Sequence, residues 1–303
     1  METARVACED KGSLQYGTLC MTAGSAYYEL NQLTACRENW ENFMQIRKVK
    51  LPEGHLELSS SYHNMGNLEA ADSAAADNLE KAEAYFKRAI DIRVAGGDIA
   101  NSLLANSYLC MSRVHFLKKD YDEALTMLAQ SEALLYRISG ADAHFMAHVH
   151  YAYGNVDYAQ KRWEATKRSY EQSLRIGLAN APIHPITAAA YYSLGCVEHM
   201  RGNLDNAKAY LDRAMAIAQH RNPDRDDGTM ARIMWKTPVV LESETFGTFQ
   251  EDATELRIRA ELALKPLTAK GEGGIVFSVD EEGNADCDEM EEAYDSLVPG
   301  YFR

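Results

Sequence analysis

The stretch YYSLGCVEHMRGNLDNAKAYLDRA, residues 191–214, decides the fold. Gly195 is followed twelve residues later by a second small residue, Ala207, and four residues after that by the bulky Leu211. Ile217 lies ten residues after Ala207. Spacings of three and four residues, and their sums, place side chains on one face of an α-helix. The stretch therefore indicates two helices that cross closely at small residues.

The same pattern occurs four more times upstream. From the first copy to the last, the small residues that open the pattern stand at intervals of 42, 46, 42 and 41 residues: Gly24, Gly66, Ser112, Gly154 and Gly195. A fixed period of this length is typical of repeat proteins, in which each helix pair packs on the next. We predict five helix–turn–helix repeats, with bulky residues filling the gaps between neighbouring pairs.

These repeats resemble the tetratricopeptide repeat. The matching residues are Tyr191, Leu194, Gly195, Gly202-Asn203-Leu204, Ala207, Leu211 and Ala214, with a second copy at Tyr108, Met111, Tyr121, Ala124, Leu128 and Ser131. The period near 42 and His184-Pro185-x-Thr187 are similar to the kinesin light chain style of the repeat, which fungal proteins also carry. The resemblance covers residues 12–222 and implies an all-α, right-handed superhelical solenoid. The sequence departs from the family at Glu69, Asp157 and Glu198, where an aromatic residue is usual.

Charge and composition argue against several classes of protein. The 303 residues carry a formal net charge of −14, of which residues 271–303 supply nine charges through ten acids and one base. The remaining residues, 1–270, show no basic stripe that would bind nucleic acid or an anionic membrane, so neither partner is expected. Because the sequence shows no long apolar run, no secretory signal and no paired cysteines, we expect a soluble cytoplasmic protein with buried, reduced cysteines.

These patterns divide the chain into three predicted segments. They are a solenoid of about five repeats over residues 1–222, capping helices over 223–268 and an acidic tail over 269–303. A cap is expected because a solenoid exposes an apolar end unless a terminal helix covers it. The composition of the tail favours a solvated, disordered segment. The alternative is that residues 290–298, which alternate apolar and acidic side chains, fold back on the body.

The resemblance also implies which residues line the concave wall of the solenoid. In the family these are positions 2, 5, 9 and 12 of the first helix of each repeat, a spacing that puts them on one helical face. The wall carries no acid and one arginine, so it differs from the basic walls that grip an acidic C-terminal peptide. The candidate ligand-binding residues are His63, Asn67, Asn106, Arg113, Phe116, His148, Tyr151, Asn155, Tyr158, Tyr192 and His199.

Two classes of function suit this neutral wall of aromatic residues, histidines and asparagines. The first is a binding scaffold whose groove holds a peptide, a protein partner or an apolar small molecule. The second is a cofactor-independent enzyme, a cyclase or isomerase whose chemistry includes pericyclic steps on an apolar small molecule, as in a fungal biosynthetic pathway. A third interpretation is that the C-terminal segment of the protein packs against these rings. The sequence leaves open whether the groove is catalytic.

No cofactor and no metal are expected. His144 and His148 have the i, i+4 spacing of zinc ligands, but no cysteine lies near them in sequence and no HExxH motif is present. A nucleophile motif of the GxSxG type is also absent from the sequence. We therefore assign no catalytic residue.

Overall fold

The computed structural model describes residues 10–72, 76–223, 227–241, 250–268, 287–296 and 298. The chain divides into two compact units, an N-terminal unit, Met1–Val156, and a C-terminal unit, Asp157–Arg303. Every regular element among the described residues is a helix, which confirms the predicted all-α repeat fold. In that part of the chain, no helix combines the length and the apolar character needed to cross a lipid bilayer.

The N-terminal unit is built from helix pairs. The pairs are α1 (Leu14–Glu29) with α2 (Leu33–Lys50), α3 (Leu56–Ala71) with α4 (Ala76–Ala95), and α5 (Asn101–Leu117) with α6 (Tyr121–Ser139). A short 3-10 helix, Gly97–Ala100, leads into α5, and α7 (His144–Ala159) begins in this unit. Because α2 also packs on α3 and α4 on α5, each pair is joined to the next, as a repeat array requires.

The C-terminal unit continues the same pattern. Its helices are α8 (Trp163–Asn180), α9 (Pro185–Met200), α10 (Leu204–Arg221), α11 (Gly228–Leu241), α12 (Gln250–Thr268) and α13 (Cys287–Ser296). The α9 helix pairs with α10 and also packs on α8, while α11 packs on α10 and is itself covered by α12 and α13. The helices α11 and α12 thus lie where capping helices were expected; the predicted division at residues 222 and 268 stays a prediction.

The turn between the two helices of a repeat closes in the same way wherever the described residues include it. One residue adopts a positive φ, and the residue after it donates its N–H to the carbonyl oxygen five positions back, as in Asn203 to Glu198 at 2.9 Å. This is the Schellman ending of a helix, in which a left-handed residue lets the chain reverse. The left-handed residues are Asn31 (φ 54°), Lys119 (φ 62°), Lys161 (φ 58°) and Gly202 (φ 76°).

Small residues lie where the paired helices cross, as the sequence predicted. A Cβ added to Gly66 stands 2.9 Å from the ring of Phe86, and one added to Gly195 stands 3.0 Å from Leu211. Both bulky residues belong to the second helix of the same pair as their glycine. They therefore pack directly on the small residue of their own pair, a placement that the sequence pattern did not predict, since it assigned them to the gaps between pairs.

The end of the acidic tail folds back on the C-terminal unit. Helix α13 buries Met290, Ala293 and Tyr294, and Val298 is buried beyond its end. The expectation of a solvated tail is therefore wrong for this segment, because α11 offers its apolar side chains a partner that composition alone does not reveal. Residues 269–286, 297 and 299–303 of the predicted tail lie outside the described residues.

Four cysteines agree with the expectation of buried thiols. Cys20, Cys36, Cys110 and Cys196 are all buried. Burial raises the pKa of Cys36 to about 12, even though Arg37 acts in the opposite direction. The Cys36 thiol is therefore protonated and unreactive at neutral pH.

Candidate functional site

On α5, the predicted wall positions form a stripe of half-buried side chains. Asn106, Leu109, Arg113 and Phe116 each keep part of their surface open to solvent. We call these four residues the α5 stripe. It offers an amide, an aliphatic side chain, a guanidinium and an aromatic ring, which suits a ligand with both polar and apolar groups.

The wall positions on the neighbouring first helices are less uniform. His63 and Asn67 on α3 and Tyr151 on α7 are buried. His148 and Asn155 on α7 are half-buried. The predicted candidates of this unit thus divide into three buried side chains and several that a ligand can reach.

The surroundings of His148 on α7 are aromatic. The His148 ring lies 5.6 Å from that of His144, centroid to centroid, and 5.9 Å from that of Phe145. Phe145 is exposed on this face. The i, i+4 spacing therefore brings the two histidines side by side, as the sequence indicated.

A buried polar cluster joins α3, α4 and α5. Its centre is Arg93, 2% exposed, whose guanidinium donates to Ser59 Oγ at 3.1 Å and to the carbonyl oxygen of Leu103 at 2.6 Å. It also donates to Ser107 Oγ. His63 Nδ1 lies 3.3 Å from Arg93 Nη1. Because hydrogen bonds from a charged donor are strong, Arg93 fixes how these three helices pack.

The same cluster sets the protonation of His63. Burial and, second, the charge of Arg93 lower the pKa of His63 to about 3, so the ring is neutral at physiological pH. Since a guanidinium can only donate, Nδ1 accepts and the ring proton lies on Nε2. Nε2 is 3.3 Å from the Asn106 amide, whose oxygen accepts this proton when the amide is turned towards it. His63 therefore positions Asn106 of the α5 stripe.

The other end of the α5 stripe is also tied to α3. Nη2 of Arg113 donates to the carbonyl oxygen of Ala70 at 3.3 Å. The ring of Phe116 lies 6.1 Å from that of Tyr121, the first residue of α6. The stripe is thus held by neighbours at both ends, which reduces the conformational entropy that a ligand must remove on binding.

Two of the three candidates in the C-terminal unit lie towards its surface. The Tyr158 hydroxyl donates to Met200 Sδ at 3.0 Å, and its ring meets that of Trp163 edge-on at 5.6 Å. His199 is half-buried in the last turn of α9.

Tyr192, by contrast, belongs to the core of the C-terminal unit. The guanidinium carbon of Arg232 lies 4.2 Å from its ring centroid, and Arg232 Nη1 donates to Asp295 Oδ1 of α13 at 3.1 Å. Next to this pair, Trp235 of α11 stacks on Tyr294 at 5.0 Å with 19° between the rings. Tyr192 thus shares its buried cluster with Ala293 and Tyr294 of α13.

The three acids at which the sequence departs from the family are held by basic side chains. The pairs are Glu69 with Arg37 at 2.5 Å, Asp157 with Arg162 at 2.6 Å and Glu198 with Lys167 at 2.7 Å. Burial acts to raise the pKa of Glu198, but hydrogen bonds from Lys167 and Asn203 and nearby positive charges lower it overall. These three ion pairs therefore join the end of a first helix to a neighbouring segment.

Two buried arginines, Arg93 and Arg232, were missed by the sequence analysis. The wall pattern considers only the first helix of each repeat, and both arginines lie on other helices. A signal for Arg93 was present, since it follows Phe86 and Ala89 by seven and four residues and so shares their apolar face. Arginine is rarely fully buried without a specific role, and its position on such a face marks a polar cluster.

Comparison with known proteins identifies the repeat. The family model described as tetratricopeptide repeat matches residues 145–220. The Arabidopsis thaliana protein KINESIN LIGHT CHAIN-RELATED 1 is 25% identical over 166 residues, which cover 54% of this chain and 27% of that protein. The chain therefore matches about a quarter of the length of this curated relative.

Several solved structures share the fold at low sequence identity. BtubC (BKLC) from P. vanneervenii aligns with a TM-score of 0.58 and 14% identity over 84% of this chain and 97% of its own. Aspartyl phosphate phosphatase F from Bacillus subtilis aligns with a TM-score of 0.62 and 13% identity over 82% and 62% of the two chains. A Rap protein complexed with competence and sporulation factor gives a TM-score of 0.63 at 13% identity, over 92% and 70%. At these identities the likeness shows the fold alone.

Proposed function

We propose that this chain, in which residues 145–220 match the tetratricopeptide repeat, is a non-catalytic binding protein that holds an extended peptide along α5 of the N-terminal unit. The observation that carries this proposal is the α5 stripe, a row of half-buried side chains in which hydrogen-bond donors alternate with apolar groups. Concave positions with a few directed polar groups among apolar ones are typical of ligand sites.

The spacing within the α5 stripe favours a peptide. Asn106 and Arg113 are seven residues apart, or about 10 Å along a helix that rises 1.5 Å per residue. An extended chain covers that distance in about three residues. The two donors therefore match peptide carbonyl groups three residues apart, while Leu109 and Phe116 offer apolar surface to the side chains next to them.

The charge of the α5 stripe defines the kind of peptide. Arg113 is its only charged residue, so the stripe lacks the several cations that bind an acidic C-terminus. It also lacks acids that would attract a basic segment. We therefore expect a peptide of low net charge with at least two apolar side chains.

The protonation state of His63 favours a binding function over an enzymatic one. A histidine whose pKa is about 3 is neutral near pH 7, so it lacks the extra proton that an acid catalyst would donate there. Its Nε2 instead lies 3.3 Å from the Asn106 amide, which gives it a positioning role. The cyclase or isomerase hypothesis therefore gains no acid catalyst from His63.

A selection experiment tests the proposal. A phage-displayed library of random 12-residue peptides is selected on the full chain, and enriched peptides are measured by fluorescence anisotropy. Phe116→Ala and Arg113→Met should each lower their affinity by about tenfold or more, as for central contacts of an interface. Tyr136→Ala, which changes an aromatic residue 64% exposed on α6, is the matched control and should leave the affinity unchanged. Enriched peptides that bind the stripe variants as tightly as the unchanged chain would contradict the proposal.

A further inference from the structure

Helix α13 is held on the C-terminal unit by a specific set of side chains. Tyr294 is fully buried and stacks on Trp235, while Asp295 accepts a hydrogen bond from Arg232 at 3.1 Å. The same guanidinium lies over the Tyr192 ring. A ring that stacks on Tyr294 and a cation that pairs with Asp295 together form a surface that recognises an aromatic residue followed by a carboxylate.

The docked helix itself is a weak element. Cys287–Ser296 has ten residues, with five acids and no base, and it packs chiefly on α11. Helices shorter than about 12 residues are marginal in water, and like charges weaken them further. The helical form of α13 therefore depends on its contact with α11, so that undocking and loss of helix occur together.

The contact is also imperfect in one place. The Tyr294 hydroxyl is buried and has no hydrogen-bond partner among the described residues. A buried polar group without a partner opposes the state that buries it. A segment with an aromatic ring but no hydroxyl at this position would fit the surface better than α13 does.

We propose that Tyr192, Arg232 and Trp235 form a docking site for acidic helical segments of partner proteins, and that α13 is its tethered, displaceable occupant. The partner segment carries an aromatic residue followed directly by a carboxylate. Because α13 belongs to the same chain as the site, its effective concentration there is high, so that a partner must compete with it. The site lies in the C-terminal unit and takes an acidic ligand, so the inference goes beyond the α5 stripe, and the two proposals are measured with different peptides.

The test uses the full chain and a labelled synthetic peptide of residues 287–298 as the probe, with binding measured by fluorescence anisotropy. Asp295→Lys in the chain removes the ion pair to Arg232 and loosens the tethered helix, so the unchanged peptide should bind about tenfold more tightly. Tyr294→Phe in the chain keeps the stacked ring and removes the unpaired hydroxyl, so the peptide should bind more weakly than to the unchanged chain. Glu255→Lys, the same charge change at an exposed position of α12, is the matched control.

Two further readouts decide the result. Asp295 is 40% exposed in the ion pair, so Asp295→Lys should keep the helical circular dichroism of the chain. A global loss of helix in this variant would show that α13 is a fixed part of the core and would overturn the proposal. Failure of the peptide to bind the Asp295→Lys chain, or shifts of affinity in the same direction for Asp295→Lys and Tyr294→Phe, would overturn it as well.

Discussion

Arg93 holds α3, α4 and α5 together through hydrogen bonds that no other residue type provides at that position. Arg93→Met keeps most of the side-chain volume but leaves Ser59, Ser107 and the Leu103 carbonyl oxygen without their donor. We expect the free energy of unfolding to fall by about 3 kcal/mol, because buried polar groups are costly when they lose a partner.

Arg88 on the same helix provides the control for this prediction. It pairs with Glu53 at 2.7 Å, and both side chains are exposed. Arg88→Met should cost less than about 1 kcal/mol, as surface ion pairs usually do. Urea unfolding of the two variants measures the difference. Equal losses would show that the buried cluster is not the stabilising feature described.

His63 makes the stability of the chain depend on pH. Its pKa is about 3 in the folded chain, against an ordinary value of 6.5, so between these values the unfolded chain binds a proton that the folded chain does not. Stability should therefore fall as the pH is lowered below 6.5, with a contribution from this residue of up to about 1.4 kcal/mol per pH unit. The free energy of unfolding, measured from about pH 7 to pH 5, should change less in His63→Gln than in the unchanged chain.

The exposed His220 supplies the comparison for this pH dependence. His220→Gln should show the same pH dependence as the unchanged chain. If His63→Gln also keeps that dependence in full, the folded ring is not held neutral.

At the scale of single residues, the sequence predicted the position of His63 better than its role. The wall spacing placed it correctly on the first helix of a repeat, but its burial depends on Arg93, thirty residues away in the chain. A pattern of spacings on one helix contains no information on a charged partner from another. Asn106, Arg113 and Phe116 were predicted as wall residues and are half-buried; their binding role stays a prediction.

At the scale of elements, the left-handed turn residues offer a test of the repeat geometry. Lys161 adopts φ 58°, a conformation that strains residues with a Cβ, whereas Gly202 fills the equivalent place in the next repeat with φ 76°. Lys161→Gly should raise the free energy of unfolding by about 0.5–1 kcal/mol, and Gly202→Ala should lower it by about 1 kcal/mol.

Lys161→Ala separates backbone strain from charge in this experiment. It removes the charge but keeps the Cβ, so it should give none of the stabilisation expected from Lys161→Gly. Thermal unfolding of the three variants is sufficient to rank them. A stabilisation by Lys161→Ala equal to that by Lys161→Gly would attribute the effect to charge and contradict the proposed strain.

The helix pairs themselves could be predicted because their signal is local and repeated. Small residues such as Gly66 and Gly195 recur at the crossing of two helices, and the structure confirms both. The turn conformation was harder to predict from the sequence. Asn31, Lys119 and Lys161 adopt a positive φ at positions where a glycine would have indicated it. The hydrogen bond of the Schellman ending, rather than the residue type, sets the backbone there.

At the scale of the whole molecule, the repeat period accounts for the all-α fold but not for the end of the chain. The acidic composition of residues 287–296 is that of a disordered segment, yet α13 docks through Tyr294 and Asp295. Their partners Trp235 and Arg232 lie about sixty residues earlier, outside any repeat pattern. Such a contact depends on the folded surface of α11, so composition could not predict it.

The most direct test of the binding function is photo-crosslinking at the α5 stripe. Photoreactive benzoylphenylalanine replaces Phe116 in one preparation of the full chain and Tyr136 in another, and each is irradiated with a labelled peptide from the selection. We expect a crosslink at position 116 and none at position 136. Crosslinking at 136 alone, or at neither position while the peptide remains bound, would contradict the claim that α5 carries the peptide.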